Sequence, residues 1–180
     1  MPVGGGEVEA SRLTRIQIDV LKPYIRCRKH KIADTGWRSS DMLPRFGPYP
    51  ATKPFSRGWE WRSVHLRGDD GQTYRLLFEA DASRGRWKAM LIILQQNGEP
   101  RALVRLEAQP GGSGGGLHAH ASCGQDFNLR GAESVTMAYV IPDHGRPRRR
   151  RDAWTKPLFC KTAAAFFRTD PLIDQEEMTL

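Results

Sequence analysis

The most specific chemical signal in the sequence is the histidine pair in His118-Ala119-His120. Residues two apart in a β-strand face the same side of the sheet, so both imidazoles would share one surface. Because the pKa of an imidazole lies near neutrality, one histidine could act as a general base and the other as a general acid. The pair therefore suits acid–base work on a phosphodiester.

The preceding segment, residues 102–108, adds two polar groups by the same logic. Its apolar residues occupy alternate positions, which turns Arg105 and Glu107 outward. If this segment pairs with the strand of the histidines, all four polar side chains lie on one face, where the arginine could stabilise the charge of a phosphorane. The candidate catalytic residues are thus Arg105, Glu107, His118 and His120.

The sequence leaves two other interpretations of the histidine pair open, a metal site and an exposed strand without a function. With Glu107 or Cys123, the imidazoles could hold zinc or iron. Their spacing from Gly112 also resembles the first cupin motif, although Gly124 and Gln125 stand where that motif has a glutamate. Alternatively, the strand is solvent-exposed and its histidines are incidental. We expect the site to work without a metal or another cofactor.

The charge of the chain indicates a polyanionic partner. The 180 residues carry 28 Lys plus Arg and 20 Asp plus Glu, for a formal net charge of +8. Four of the 20 acids lie after Thr169, where there is no base, so the rest of the chain holds 28 bases against 16 acids. Such a field attracts nucleic acid, with RNA favoured over DNA, or an acidic protein. A solvated, arginine-rich surface without a partner is the alternative.

Two basic clusters are the candidate nucleic-acid contacts, because guanidinium and ammonium groups bind phosphates. One is a run of five arginines in six residues, and the other follows the first predicted helix. The run could also be a mobile loop, or a contact for an acidic partner or for the acidic tail of the chain itself. The candidates are Arg146, Arg148, Arg149, Arg150, Arg151, Arg26, Arg28 and Lys29.

The remaining composition excludes several classes of protein. Cys27, Cys123 and Cys160 are widely spaced and form no CxxC, so a disulfide framework is not expected. No run approaches the roughly 18 apolar residues of a membrane span, and no apolar signal-peptide core is visible. We therefore expect a cytoplasmic protein without a membrane partner, whose oligomeric state the sequence leaves open.

Residues 59–180 predict a single α+β domain. Alternating apolar residues separated by Gly, Asp and Asn turns indicate strands at 59–66, 73–80, 87–94, 102–108, 117–122 and 134–141. A helix is expected at 157–168, and residues 11–31 favour a short helix, or alternatively a strand, which Pro23 would end or kink. The expected fold is an antiparallel meander of five to six strands with an N-terminal and a C-terminal helix packed on it.

Residues 1–58 are expected to form an N-terminal segment that includes an aromatic arm. The arm, residues 33–58, interleaves prolines and glycines with Trp37, Phe46, Tyr49 and Phe55. A loop of this length is unusual unless it packs down. We expect these rings to pack on the protein or a partner, with stacking on nucleotides as the alternative.

The order of these elements resembles small bacterial proteins related to the TumE-like toxins of toxin–antitoxin pairs. The resemblance rests on the runs DASRGRWK at 81–88, ALVRLE at 102–107 and LHAH at 117–120, followed by an aromatic helix. It covers residues 72–168, about half of the chain, and Glu107 stands where those proteins tend to show an aspartate. It implies a site at Arg105, Glu107, His118 and His120, and an acid-rich or helix-turn-helix antitoxin as partner.

Two hypotheses of function follow, and the sequence does not decide whether the protein is an enzyme. The first is a nucleic-acid-directed, toxin-like protein that acts as a metal-independent ribonuclease through its His118–His120 face. The second is a non-catalytic basic protein that holds nucleic acid or inhibits an acidic or nucleic-acid-handling protein.

Overall fold

The computed structural model describes residues 21–110, 116–121, 133–135 and 154–172. In these residues seven strands form one antiparallel sheet, and each strand pairs with its neighbour along the chain. The strands are β1 Lys29–Asp34, β2 Glu60–Gly68, β3 Thr73–Asp81, β4 Arg86–Leu94, β5 Pro100–Gln109, β6 Gly116–Ala121 and β7 Glu133–Val135. Residues 21–26 are helical (α1), and α2 covers Lys156–Phe166. The predicted α+β meander with two helices is confirmed.

Local sequence signals explain most of these boundaries. The turn between β3 and β4 ends at Gly85, whose φ of 62° lies in the left-handed region that glycine tolerates best. Helix α2 begins after Thr155, whose hydroxyl accepts a hydrogen bond from the amide of Leu158, and Pro157 occupies the first turn. The observed bounds of strands β2 to β5 lie within two residues of the predicted ones.

The structure differs from the sequence predictions at two places in the N-terminal region. Pro23 does not end α1, because its carbonyl still accepts a hydrogen bond from the amide of Cys27 at 3.0 Å. Strand β1 was not predicted, since three of its first four side chains after Arg28 are basic or imidazole groups that mask the strand pattern. Expectations for residues 11–20 and 136–141 fall outside the described residues.

Both helices pack on one face of the sheet, which we call the helix face. Its core contains apolar residues from β2 to β6 and from both helices. Phe159 of α2 lies at its centre, with its ring centroid 5.7 Å from that of Trp87 and 6.3 Å from that of Phe78. Within the described residues, no helix is long and apolar enough to cross a membrane.

The aromatic arm covers part of the opposite face, which we call the arm face. A bridge between Arg38 and Trp61 joins the arm to β2, and a bridge between Met42 and Lys53 pairs two segments of the arm with each other. Phe46 packs on Trp61 with ring centroids 5.4 Å apart. The described aromatic residues of the arm therefore pack on the protein itself.

A β-bulge in β5 corrects one predicted core residue. Leu91 pairs with Val104, whereas the next residue, Ile92, pairs with Ala102, so Leu103 is the extra residue. Past the bulge the alternation changes phase. Ala102 therefore packs in the cluster on the arm face, although simple alternation placed it with Val104 on the other side.

Lys29 is a fully buried ammonium group that joins both helices to the sheet. Its Nζ donates to the carbonyl oxygens of Tyr24 at 2.5 Å, Cys27 at 2.7 Å and Phe167 at 3.0 Å. These carbonyls lie at the ends of α1 and α2, where intrahelical partners run out. Burial lowers the pKa of Lys29 to about 8. Lys29 is therefore unavailable to nucleic acid, and its assignment as a phosphate contact is wrong.

Replacing Lys29 with methionine should lower the free energy of unfolding by about 2–3 kcal/mol, because it leaves buried carbonyl oxygens without a donor. Urea unfolding followed by circular dichroism measures the loss. Lys31→Met, in an exposed position of the same strand, is the matched control and should stay within about 0.5 kcal/mol of wild type. Equal stability of the two variants would contradict this role of Lys29.

An ion pair fastens the end of β1 to β2. Arg62 is buried, and its Nε and Nη2 donate to the two carboxylate oxygens of Asp34 at 3.0 Å and 2.7 Å. Burial alone would raise the pKa of Asp34, but hydrogen bonds from Arg62 and from the amide of Gly36 bring it below its usual value. The carboxylate therefore favours the folded state only while it is ionised.

The contribution of Asp34 to stability should be lost in acid. Its pKa is lower in the folded than in the unfolded state, so the unfolded state binds more protons as the pH falls. Wild type should exceed Asp34→Asn in free energy of unfolding at about pH 7, and the difference should shrink as the pH falls below the unfolded pKa and through the lower folded pKa. A difference that does not change with pH would show that the carboxylate charge is not what stabilises this contact.

Candidate functional site

The pairing of β5 with β6 brings the four candidate catalytic positions together. Glu107 lies directly opposite His118, and Arg105 lies directly opposite His120. Directly opposed residues of an antiparallel pair share a face and have their Cβ atoms about 4.5–5.5 Å apart. Pairing of these two strands was the condition of the sequence hypothesis, and the register meets it. The catalytic role of the four residues stays a prediction.

The same register extends a polar row across four strands of the arm face. Glu79 on β3 pairs with Lys88 on β4, which pairs with Glu107 on β5, which pairs with His118 on β6. Strands are about 4.8 Å apart, so the row is roughly 14 Å long. We call these four residues the polar row. It places two glutamates, a lysine and a histidine in one line across β3 to β6.

Arg105 and Glu107 form an ion pair within β5. Arg105 Nε lies 2.6 Å from Glu107 Oε1, and the two side chains are 21% and 13% exposed. The positions are two apart on one strand, which places both on the arm face. The attraction between the two charges is stronger in this shielded position than it would be in open solvent.

A cavity of about 210 Å³ lies at the other end of the polar row, between the sheet and the aromatic arm. Its sheet side has an apolar part made by Leu77 and Met90. The remaining lining residues are polar, and two of them belong to the arm: Tyr49, Lys53, Glu79, Lys88 and Arg105. Arg105 thus borders the cavity, and its position on β5 lies directly opposite His120 on β6.

Glu79 anchors the arm to the wall of this cavity. Its side chain is 5% exposed, and Oε1 accepts hydrogen bonds from Tyr49 Oη at 2.8 Å and from Lys53 Nζ at 2.7 Å. Lys53 Nζ also donates to Tyr49 Oη at 2.8 Å and lies 4.1 Å from the centre of the tyrosine ring. Burial raises the pKa of Tyr49, and the charge of Glu79 raises it further, so the phenol stays protonated as a donor.

Lys88 is the cation of the cavity that has no carboxylate partner. In the described part of the chain no Asp or Glu lies within ion-pair distance of its Nζ, which sits 5.4 Å from the centre of the Trp59 ring. Its two cross-strand neighbours, Glu79 and Glu107, are occupied by Lys53 and Arg105. The cavity therefore carries one uncompensated positive charge.

The structure does not bring the predicted basic clusters to this site. Arg26 and Arg28 are exposed, but they flank the start of β1, five strands and roughly 24 Å from β6. The arginines at 146 and 148–151 lie outside the described residues, as does Cys123. Within the described ranges, Cys27 and Cys160 form no disulfide, and no group of three His, Cys, Asp or Glu side chains is arranged to hold a metal.

Sequence reasoning missed four polar residues of the site: Tyr49, Lys53, Glu79 and Lys88. Two of them had a signal, because Glu79 and Lys88 are charged residues inside strands whose neighbours are apolar, at positions that pair across the turn. The other two had none, since Tyr49 and Lys53 reach Glu79 from 30 and 26 residues earlier in the chain.

Comparison with protein families found no family that matches the chain, and no curated protein or solved structure matched it. The resemblance to TumE-like toxins therefore stays a prediction.

Removing the hydroxyl of Tyr49 should loosen the arm. Tyr49→Phe takes one of the two donors from the buried Glu79 carboxylate, and we expect a loss of about 1–2 kcal/mol in the free energy of unfolding. Tyr24→Phe is the matched control, because the described structure gives the Tyr24 hydroxyl no hydrogen bond, and it should change stability by less than about 0.5 kcal/mol. Chemical denaturation of both variants provides the measurement, and identical midpoints would contradict the anchoring role.

Proposed function

We propose that the protein is a metal-independent ribonuclease of the toxin type, with Arg105, Glu107, His118 and His120 as its site. The observation that supports the proposal most strongly is the β5–β6 register, which sets Glu107 opposite His118 and Arg105 opposite His120. Two imidazoles beside a guanidinium and a carboxylate supply a base, an acid and an anion-binding group. The excess of bases over acids in the chain favours an RNA substrate.

The proposed reaction is an internal transfer at the phosphodiester. One histidine accepts the proton of the ribose 2′-hydroxyl as its oxygen attacks phosphorus, and the other protonates the 5′-oxygen as the P–O5′ bond breaks. The products are a 2′,3′-cyclic phosphate and a 5′-hydroxyl, so the number of protons is conserved. Because the nucleophile is the 2′-hydroxyl, DNA is not a substrate.

Arg105 and Glu107 have supporting roles in this proposal. Arg105 neutralises the non-bridging oxygens as negative charge develops on them, which is worth most in a shielded site. Glu107 pairs with the guanidinium, with Arg105 Nε and Glu107 Oε1 2.6 Å apart, and lies opposite the position of His118.

The test is cleavage of labelled total RNA by the wild type and by the double variant His118→Ala/His120→Ala, with and without EDTA. We expect cleavage by the wild type that survives EDTA, and a loss of at least about a hundredfold in the double variant, since acid–base catalysis typically contributes that much or more. His65→Ala is the matched control: His65 lies on β2, four strands from β6, and should leave cleavage unchanged.

Three outcomes would contradict the proposal. Cleavage that is lost with EDTA would indicate a metal-dependent site, and cleavage that the double variant retains would exclude the histidines. If the wild type cleaves nothing, yet wild type and double variant shift RNA equally in a salt-sensitive gel assay, the protein is the non-catalytic binder of the second hypothesis.

A further inference from the structure

We propose that the cavity between the sheet and the aromatic arm is a subsite for a second nucleotide of a single-stranded RNA, with Lys88 binding the phosphate next to the one that is cleaved. This inference rests on the proposed function, which it deepens by defining the substrate as an extended single strand. It assigns a role to a residue outside the four candidate catalytic positions.

The balance of charge singles out Lys88. Five charged side chains meet at the cavity and the adjoining Glu107, and four of them form two ion pairs, Lys53 with Glu79 and Arg105 with Glu107. Lys88 remains without a carboxylate in the described structure. An ammonium group between two satisfied carboxylates lacks only an anion, and a phosphate oxygen supplies one.

The position of Lys88 distinguishes it from the catalytic groups. It lies one strand from Glu107 and two from the position of His118, roughly 10 Å away across the sheet. That separation suits the phosphate of a neighbouring nucleotide better than the phosphate between the histidines. Arg105, which borders the cavity and faces β6, lies between the two phosphate positions.

The lining and volume of the cavity indicate which part of the nucleotide binds beside the phosphate. Leu77 and Met90 offer an apolar surface and Tyr49 contributes an aromatic wall, which together suit a ribose or a base. A volume of about 210 Å³ has room for one such group, and the arm closes one side. A duplex does not fit in this space, so the substrate strand must be unpaired where it enters.

Substrate length combined with a Lys88 variant tests the proposal. A dinucleotide has only the cleaved phosphate, whereas a trinucleotide can offer the neighbouring one. With Lys88→Gln we expect KM for the trinucleotide to rise about tenfold with kcat unchanged, and no change in either constant for the dinucleotide. Lys88→Arg, which keeps the charge, should restore most of the trinucleotide affinity.

Lys161→Gln is the matched control for loss of a lysine charge, because Lys161 is exposed on α2, on the helix face. It should leave both substrates unaffected, and thermal unfolding should show that all variants are folded. An equal fall of kcat on both substrates in Lys88→Gln would place Lys88 at the cleaved phosphate and overturn the subsite. Unchanged constants on both substrates would overturn it as well.

A binding experiment separates the subsite from catalysis. A fluorescent single-stranded DNA trinucleotide, which lacks the 2′-hydroxyl, is titrated into His118→Ala/His120→Ala with and without Lys88→Gln. Loss of Lys88 should weaken binding about tenfold and reduce the slope of log K against log salt by about 0.7, as expected for one phosphate contact on a single strand. This result would support the subsite even if no RNA is cleaved. An unchanged slope and affinity would overturn it even if the ribonuclease activity is real.

Discussion

The register of the meander is the constraint on which the site depends. A shift of one residue between two strands exchanges every side chain between the faces of a sheet, and here one face must accept two helices. The apolar residues of β3 to β6 that pack against α2 therefore hold the polar row on the opposite face. Burial on the helix face, rather than any attraction among the polar groups, aligns Glu107 with His118 and Arg105 with His120.

Charged groups on both sides of the sheet are buried in a similar way but differ in the number of their partners. Lys29, Arg62 and Glu79 each lie inside the protein with hydrogen bonds that compensate for lost water. Lys88 is the contrasting case: it is partly shielded, its Nζ lies 5.4 Å from the centre of the Trp59 ring, and within the described residues it forms no ion pair. Lys29, Arg62 and Glu79, which stabilise the fold, thus have hydrogen-bond partners within the protein. Lys88, which can still bind an anion, lies in the cavity.

The sequence was sufficient for the features that depend on local alternation. Strands β2 to β5, the turn at Gly85 and the outward direction of Arg105 and Glu107 follow from periods of two and from turn residues. The sequence did not predict β1, because a lysine, Lys29, occupies a core position there. Its ammonium group donates hydrogen bonds to carbonyl oxygens that come together only in the folded chain. The cavity was not predicted for a related reason. Its arm residues contact Glu79 from far away in the sequence, and such contacts produce no periodic pattern of residues.

The bonds of Lys29 also affect the order in which the protein can fold as it is synthesised. Each strand of the sheet pairs with the strand made just before it, so the meander can grow hairpin by hairpin while the chain is being translated. The carbonyl of Phe167, however, is made 138 residues after Lys29, and the outer edge of β1 receives its backbone partners from residues 168–170. Until α2 has emerged from the ribosome, the outer edge of β1 lacks its backbone hydrogen bonds to residues 168–170. Over the same period, Lys29 lacks its hydrogen bond to the carbonyl of Phe167.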